Sequence, residues 1–152
     1  MTAAKQTYEG SCHCGRVRYR VEGPIAVLAN CHCTDCRKNS GAAFVTWAEF
    51  PRRAFTFLKG EDQLQTHKAE SGTQRQFCRT CGSSLVCFVE GDGLIEVTAA
   101  TFDTPLAERP AYHIYVRSKV PWFDIQDGKP QHQTTSGRQE PARNGAPTAS
   151  RT

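Results

Sequence analysis

Cysteine is the residue type in this sequence whose number and spacing could do chemistry. The chain has eight cysteines, and seven of them fall into three short groups: Cys12 with Cys14, Cys31 with Cys33 and Cys36, and Cys78 with Cys81. Thiolates at such short spacings are typical ligands of zinc, which prefers sulfur and nitrogen donors in a tetrahedral arrangement. The spacing therefore predicts bound metal rather than core packing, and Cys87 stands apart from the groups.

The first and last groups together form a full ligand set. Cys12 and Cys14 are separated by one residue, and two such side chains face the same side of a strand. Cys78 and Cys81 form a C-x-x-C pair followed by Gly82, a residue that suits the tight turn after such a pair. Four sulfurs about 3.8 Å apart surround a tetrahedral zinc with bonds of about 2.3 Å. We therefore expect a structural zinc that closes a long loop of the chain.

The middle group lies in the segment CHCTDC at residues 31–36. It combines a C-x-C pair and a C-x-x-C pair that share Cys33. Three thiolates leave the fourth tetrahedral position of zinc open, as in catalytic sites that keep one place for water or substrate. Cys31, Cys33 and Cys36 are therefore the candidates for chemistry, as ligands of a second zinc ion in the same chain.

A fourth protein ligand would instead make this second site a closed structural one. The candidates are His32, His113 and Cys87. His32 would point away from its cysteine neighbours if the segment is extended, and Cys87 lies in an apolar run that favours a core position. His113 lies in a predicted strand, where a structural histidine is common. The catalytic and the structural interpretation both stay open at this point.

Length and composition limit the class of protein. A chain of 152 residues is long enough for one domain with its own core and too short for two ordinary ones. No apolar run approaches the roughly 18 residues that span a bilayer, and the start MTAAKQTYEG is not an apolar signal segment. We therefore expect a cytoplasmic protein, away from the membrane, whose cysteines stay reduced. The net charge of +4 is spread along the chain, so it does not favour nucleic acid as a partner.

Residues 8–125 predict an all-β domain of short antiparallel strands. Apolar and polar residues alternate over short segments separated by Gly, Pro, Asn and Asp, and no helical period is sustained. Strands are predicted at residues 16–21, 43–50, 55–58, 63–68, 74–77, 84–89, 94–98 and 112–116, with one helical turn at 35–39. Hairpin turns are predicted at residues 60–62 and 90–93.

The two ends of the chain are predicted to lie outside this domain. Residues 1–7 are a short N-terminal extension. Residues 126–152 contain no Val, Ile, Leu, Phe, Tyr or Trp, so they offer too little apolar surface to offset the entropy lost on ordering. We therefore expect a disordered tail over residues 126–152.

Four segments of the chain resemble the glutathione-dependent formaldehyde-activating enzyme family, which shares its domain with centromere protein V. They are GSCHCGRVRY at residues 10–19, NCHCTDCRK at 30–38, FCRTCGSSL at 77–85 and HIYVRSKVPWFDI at 113–125. These segments frame almost the whole of residues 7–125. The resemblance implies an Mss4-like zinc-binding β fold.

The same resemblance implies two zinc ions with different roles. The structural zinc would lie on Cys12, Cys14, Cys78 and Cys81, and the catalytic zinc on Cys31, Cys33 and Cys36. The family's named enzymes condense glutathione with formaldehyde to S-(hydroxymethyl)glutathione, a carbon–sulfur lyase reaction in reverse. The implied partners are a small-molecule thiol such as glutathione and an aldehyde.

Two hypotheses from different classes follow for the function. In the first, the protein is an enzyme whose second zinc binds a substrate thiol and lowers its pKa from about 8.5, so that the thiolate attacks an aldehyde carbonyl. Arg37 and Lys38 follow Cys36 and could offset the negative charge of a zinc bound by several thiolates. In the second, the protein is a non-catalytic zinc module that binds a protein or nucleic-acid partner, with weak contacts from a basic tail.

Overall fold

The computed structural model describes residues 6–135 of the chain, and these residues form an all-β domain with one short α-helix. The helix, α1, is Thr34–Ser40. The strands in chain order are β1 Thr7–Ser11, β2 Arg18–Glu22, β3 Val27–Cys31, β4 Val45–Pro51, β5 Phe55–Lys59, β6 Leu64–Lys68, β7 Thr73–Cys78, β8 Ser84–Val89, β9 Leu94–Thr98 and β10 Tyr112–Ile114. No helix in this part of the chain has the length and apolar character needed to cross a lipid bilayer. The all-β class predicted from the sequence is confirmed.

The strands form two sheets of unequal size. The small sheet has the order β1-β2-β5, and the large sheet has the order β10-β3-β4-β9-β8-β7-β6. The pairs are antiparallel except at one edge of the large sheet, where β10 runs parallel to β3. The helical turn predicted at residues 35–39 lies within α1, which follows β3 directly.

The two faces of the large sheet have different surroundings, because side chains alternate across a strand. On β4, Phe50 belongs to the main core, whereas Trp47 belongs to a separate cluster. The main core lies between the two sheets and includes the fully buried Tyr19 and Leu85. The second cluster consists of Cys31, Cys36, Val45, Trp47 and Cys87. One face of the large sheet therefore packs on the small sheet, and the other carries the middle cysteine group.

Two strands, β1 and β3, are missing from the sequence-based prediction. β3 has the sequence VLANC, in which Ala and Asn have low β propensity, and burial of four of its five residues removes the alternation that marks a half-exposed strand. β1 contains Gly10, which lies so close to the ring of Tyr19 that an added Cβ would overlap the tyrosine hydroxyl. Tertiary packing rather than local propensity therefore defines both strands.

One of the two predicted hairpin turns is confirmed and the other is wrong. β8 and β9 pair as antiparallel strands around residues 90–93. At residues 60–62 the chain instead passes from β5 in the small sheet to β6 in the large sheet. Gly60 has a φ of 75°, and a Cβ at this position would overlap the carbonyl oxygen of Arg16. The crossing between the sheets thus occurs where only glycine fits.

The segment at residues 126–135 departs from the expected disorder, because it lies along the free edge of β10. The N–H of His113 donates to the carbonyl of Pro130 at 2.9 Å, and the N–H of His132 donates to the carbonyl of His113 at 2.9 Å. Backbone hydrogen bonds hold this segment, so its lack of apolar side chains gave a misleading signal. The rest of the predicted tail, residues 136–152, lies outside the described part of the chain.

Candidate metal centres

Two groups of cysteine sulfurs lie close enough together for each to hold one metal ion. Within each group, all the sulfur atoms lie within 4.8 Å of one another. The groups are Cys12, Cys14, Cys78 and Cys81, and separately Cys31, Cys33 and Cys36. These are the same two sets that were predicted from the cysteine spacing. They are named here the four-cysteine group and the three-cysteine group.

The four-cysteine group has the sulfur spacing of a tetrahedral thiolate site. The Sγ atoms of Cys12 and Cys14 are 3.6 Å apart, and those of Cys14 and Cys78 are 3.8 Å apart. Tetrahedral zinc with bonds of about 2.3 Å requires about 3.8 Å between its sulfur ligands. The donor set therefore fits zinc, and four sulfurs fill its coordination.

The four-cysteine group joins the two sheets. Cys12 follows β1 of the small sheet directly, and Cys78 ends β7 of the large sheet. Cys12 and Cys14 lie on a turn, not on a strand as the C-x-C spacing suggested. The N–H of Gly15 donates to the carbonyl of Cys12 at 2.9 Å, and the N–H of Gly82 donates to that of Cys78 at 2.8 Å. Both glycines have a positive φ, so each half of the group ends in a turn that favours glycine.

The three-cysteine group lies where β3 runs into α1. Cys31 is the last residue of β3, Cys33 is the N-cap of α1, and Cys36 lies in the first turn of the helix. The Cys33 sulfur accepts a hydrogen bond from the N–H of Cys36 at 3.3 Å, so the helix N-terminus positions both sulfurs. Cys31 and Cys36 are buried, whereas Cys33 is half-buried. The group is therefore most accessible at Cys33.

The three sulfurs compete for negative charge. Hydrogen bonds with Cys33 and Cys36, together with burial, raise the pKa of the Cys31 thiol. Hydrogen bonds from Cys31 and Cys36 hold the pKa of Cys33 well below its ordinary value, and the Arg75 guanidinium lowers it further. Three thiolates this close together repel one another, so they do not all form without a positive charge beside them. A divalent cation would let all three ionise, so this donor set also fits zinc.

Trp47 and Arg75 stand next to Cys36, and the sequence pattern singled out neither. The Nε1–H of Trp47 donates to the Cys36 sulfur at 3.3 Å. Arg75 is only 7% exposed; burial opposes its charge, but the sulfurs of Cys87 and Cys36 raise its pKa. This buried guanidinium supplies the positive charge that the sequence assigned to Arg37 and Lys38. Arg75 faces Cys87 through the register of β7 with β8, which only the sheet pairing reveals.

The three candidates for a fourth ligand, His32, His113 and Cys87, lie outside both cysteine groups in the described part of the chain. The Cys87 thiol donates to a carboxylate oxygen of Glu96 at 3.1 Å, and burial, followed by that carboxylate, raises the pKa of the thiol. The Nε2 atom of His32 lies 2.8 Å from the Nδ1 atom of His113, so the two histidines are engaged with each other. Within residues 6–135, no histidine, carboxylate or further cysteine therefore adds a ligand atom to the three-cysteine group.

A chain of hydrogen bonds runs from His32 to the segment that follows β10. The Nε2 atom of His113 lies 2.9 Å from a carboxylate oxygen of Asp127. Because a carboxylate only accepts, a neutral His113 carries its proton on Nε2, and its Nδ1 accepts the proton of His32 Nε2. His32 is wholly buried, and burial lowers its pKa to about 4. These hydrogen bonds thus fix the ring of His32, the residue between Cys31 and Cys33.

The last of the four motif segments packs around His32. The ring of Phe123 lies 5.4 Å from that of Phe44 and 6.4 Å from that of His32. The Nζ of Lys119 donates to the carbonyls of Val120 and Phe123, and so closes the turn that presents Phe123. The segment supports the back of the three-cysteine group, a role that the sequence pattern did not indicate.

The sequence was compared with protein families and with individual known proteins. The family model described as glutathione-dependent formaldehyde-activating enzyme matches residues 7–118. A Halomonas elongata protein, provisionally named as such an enzyme, is 31% identical over 126 residues, which cover 78% of this chain and 80% of that protein. A Penicillium rubens protein with the same provisional name is 31% identical over 83 residues, covering 53% of this chain and 44% of that protein.

A solved structure has the same fold. The crystal structure of a Rhodobacter sphaeroides protein matches with a TM-score of 0.56 and 24% identity, and the match covers 67% of this chain and 97% of that chain. At this identity the likeness shows the fold alone, and it agrees with the Mss4-like β class. The family model spans more than half of the sequence, and the Halomonas protein is matched over most of its length. The chain therefore belongs to the glutathione-dependent formaldehyde-activating enzyme family.

Proposed function

We propose that this protein is a zinc-dependent carbon–sulfur lyase that makes and breaks the adduct of a thiol and an aldehyde, as S-(hydroxymethyl)glutathione synthase does. One observation carries the proposal: one cysteine group has four sulfurs and the other has three. A closed set of four has no place for a substrate, whereas a set of three leaves one tetrahedral position. The proposed ligands are Cys12, Cys14, Cys78 and Cys81 for a structural zinc, and Cys31, Cys33 and Cys36 for a catalytic zinc.

The residues of the three-cysteine group have separate tasks in this reaction. Zinc supplies positive charge that lowers the pKa of a thiol in the fourth position, so that thiolate is available at neutral pH. Cys33 is half-buried and is therefore the most accessible of the three proposed ligands. The N–H of Trp47 holds the sulfur of Cys36, and Arg75 offsets the negative charge that gathers as a further thiolate arrives.

The proposed step is a balanced addition without oxidation or reduction. The thiol gives up its proton, and a lone pair of its sulfur forms the new bond to the carbonyl carbon. The π electrons of the carbonyl move to its oxygen, which takes up a proton and becomes a hydroxyl group. With glutathione and formaldehyde the product is S-(hydroxymethyl)glutathione, and the reverse step cleaves the same carbon–sulfur bond.

The family description and the provisional names of the relatives support glutathione as the thiol and formaldehyde as the aldehyde. Seven thiols held as metal ligands need a reducing compartment, because oxidising ones convert such thiols to disulfides. We therefore assign the reaction to the cytoplasm.

Exchange between glutathione, formaldehyde and their adduct, followed by NMR with the zinc-loaded full-length protein, tests this function. The exchange rate should rise in proportion to protein concentration and fall to the uncatalysed rate in the Cys33→Ser variant. Cys87→Ala is the matched control, because Cys87 lies in the same buried cluster but outside the three-cysteine group. The proposal would be overturned if the wild-type protein did not accelerate adduct formation with any of the thiols and aldehydes tested.

A further inference from the structure

Tyr115 has an unusual backbone conformation. Among residues 6–135 it is the one residue other than glycine with a positive φ, 56°, and its ψ is 36°. This left-handed conformation is unfavourable for a bulky side chain, so it persists only where the surrounding structure enforces it. Residues held in this way are concentrated at functional sites. The surroundings of Tyr115 therefore bear on the function of the site.

Backbone hydrogen bonds on both sides hold Tyr115 in this conformation. Its N–H donates to the carbonyl of Thr134 at 2.8 Å, and its own carbonyl accepts from the N–H of Ser118 at 3.0 Å. The N–H of the next residue, Val116, donates to the carbonyl of His132 at 3.1 Å. These bonds fix the direction in which the side chain of Tyr115 leaves the backbone.

Tyr115 lies beside the segment that carries Cys31 and Cys33. Ile114 is paired with Cys31 in the parallel register of β10 with β3, and Tyr115 follows Ile114 directly. The half-buried side chain of Tyr115 packs against the second cluster, which contains Cys31. Cys33, the most accessible sulfur of the three-cysteine group, packs against the same cluster. The accessible sulfur and an aromatic side chain with a fixed backbone therefore border one cluster.

We propose that Tyr115 determines aldehyde specificity: its ring forms a wall beside the three-cysteine group that admits formaldehyde and excludes aldehydes with a bulky group on the carbonyl carbon. The inference rests on the proposed function and assigns a residue to the choice of aldehyde. A ring on a mobile backbone would yield to a larger substrate, whereas the backbone of Tyr115 is held by hydrogen bonds. A single methylene that fits or does not fit an apolar site changes rates by about 10-fold to 200-fold.

Two aldehydes of different size test this wall. Formaldehyde has only hydrogen on its carbonyl carbon, and isobutyraldehyde has a branched group there. NMR of the zinc-loaded full-length protein with glutathione measures the acceleration of adduct exchange, relative to the uncatalysed rate for the same aldehyde. We expect the wild-type acceleration to be at least about 30-fold greater for formaldehyde. Tyr115→Gly should reduce this preference to about threefold, because isobutyraldehyde is then accepted.

Three variants separate the ring from the fold. Glycine suits the left-handed backbone, so Tyr115→Gly removes the ring without adding strain. Tyr115→Phe keeps the ring and should keep the preference. Tyr112→Ala is the matched control, because Tyr112 is a half-buried tyrosine at the start of β10 whose ring lies 5.5 Å from that of His132. This control should keep the preference too, and urea unfolding reports the stability of each variant separately.

Alkylation of Cys33 gives a second readout that does not depend on catalysis. Peptide mass spectrometry of the zinc-loaded protein follows the modification of Cys33 by iodoacetamide, a small reagent, and by N-phenylmaleimide, a bulky one. Tyr115→Gly should raise the ratio of the bulky to the small reagent's rate by about tenfold, the lower end of the effect of a steric misfit. Tyr115→Phe and Tyr112→Ala should leave this ratio unchanged.

The outcomes separate the wall from the proposed function. If the wild-type protein accelerates exchange with formaldehyde and Tyr115→Gly leaves the aldehyde preference unchanged, the wall is overturned and the proposed function stands. The same holds if Tyr115→Gly and Tyr112→Ala reduce the preference equally, since the effect then comes from a loosened β10. If the wild-type protein accelerates exchange with neither aldehyde, the proposed function fails and the inference fails with it.

Discussion

The Nε2 atom of His32 lies 2.8 Å from the Nδ1 atom of His113, and both rings are buried. His32 separates Cys31 from Cys33, so this contact anchors the backbone between two ligands of the proposed catalytic zinc. His113 is held in turn by Asp127 at 2.9 Å. The position of the metal ligands therefore depends on residues far along the chain, next to the edge strand β10.

Replacing His113 with Phe should destabilise the domain and loosen the three-cysteine group. The change leaves Nε2 of His32 buried without a partner, which costs about 1–3 kcal/mol. Urea unfolding measures that loss, and transfer of zinc to a coloured chelator should become faster for one of the two ions. Asp124→Ala is a control on an exposed neighbour of Asp127 and should change stability by less than about 0.5 kcal/mol. Equal acceleration for both ions would show a general structural effect instead.

Truncation should distinguish the segment at residues 126–135 from the rest of the predicted tail. Ending the chain after Ile125 removes the backbone hydrogen bonds to β10 and the contact of Asp127 with His113. We expect the melting temperature to fall by about 5 °C, as for a loss of roughly 1–2 kcal/mol. Ending the chain after residue 135 should leave it nearly unchanged. Equal melting temperatures for the two truncated proteins would contradict the role given to this segment.

Arg75→Met should weaken zinc binding at the three-cysteine group by at least about tenfold, which corresponds to about 1.4 kcal/mol. The guanidinium offsets the negative charge of the sulfurs, and a neutral side chain does not. Arg75→Lys keeps the charge and should recover most of the affinity. Competition with a chelator of known affinity measures the zinc affinity of each group. The affinity of the four-cysteine group should not change. Unaltered binding in Arg75→Met would show that this charge does not act on the sulfurs.

Stability at alkaline pH should depend on Tyr8. Its hydroxyl donates to the Glu108 carboxylate at 2.7 Å, and burial, followed by that carboxylate, raises the pKa of Tyr8 to about 12. In the unfolded chain tyrosine ionises near pH 10. As the pH rises from about 10 to 12, the unfolded state loses a proton that the folded state keeps, so the free energy of unfolding falls.

Urea unfolding across this pH range measures the slope. Tyr8→Phe should reduce the slope without abolishing it, because burial raises the pKa of Tyr19 as well. A slope identical in the wild-type protein and the Tyr8→Phe variant would show that Tyr8 ionises in the folded state as it does in the unfolded chain.

The cysteine groups could be predicted from the sequence, because C-x-C and C-x-x-C spacings bring sulfurs together within a single turn. The surroundings of these groups could not. Arg75 meets Cys87 only through the register of β7 with β8, and Trp47 reaches Cys36 only because α1 packs back on the face of β4. Such contacts depend on which strands become neighbours, and a single sequence does not contain that information in its local pattern.

The fold could be predicted in class and in most strands for a similar reason. Alternating segments such as β2 and β9 show their period directly, whereas β3 is buried on both faces and shows none. The segment at residues 126–135 has no apolar residues to mark it, and backbone hydrogen bonds to β10 and the contact of Asp127 with His113 hold it in place. Local patterns reveal half-exposed strands and miss those that tertiary contacts create.

The wild-type protein should carry two zinc ions per chain, one in each cysteine group. Metal analysis of protein expressed with added zinc checks this number. Cys12→Ser and Cys81→Ser should lose much of the fold, because a structural zinc contributes folding free energy directly. A single tightly held ion in the wild-type protein, with no second ion under zinc supply, would remove the proposed catalytic centre.

Lyase activity, zinc content and melting temperature measured together on the Cys33→Ser variant test the central claim most directly. Cys33 belongs to both cysteine pairs of the three-cysteine group, and its loss leaves two ligands, too few to hold zinc against water. The variant should keep one zinc ion and a melting temperature close to that of the wild-type protein, and it should show no activity. If Cys33→Ser unfolds as severely as Cys12→Ser, or retains the activity, the three-cysteine group is not the catalytic centre.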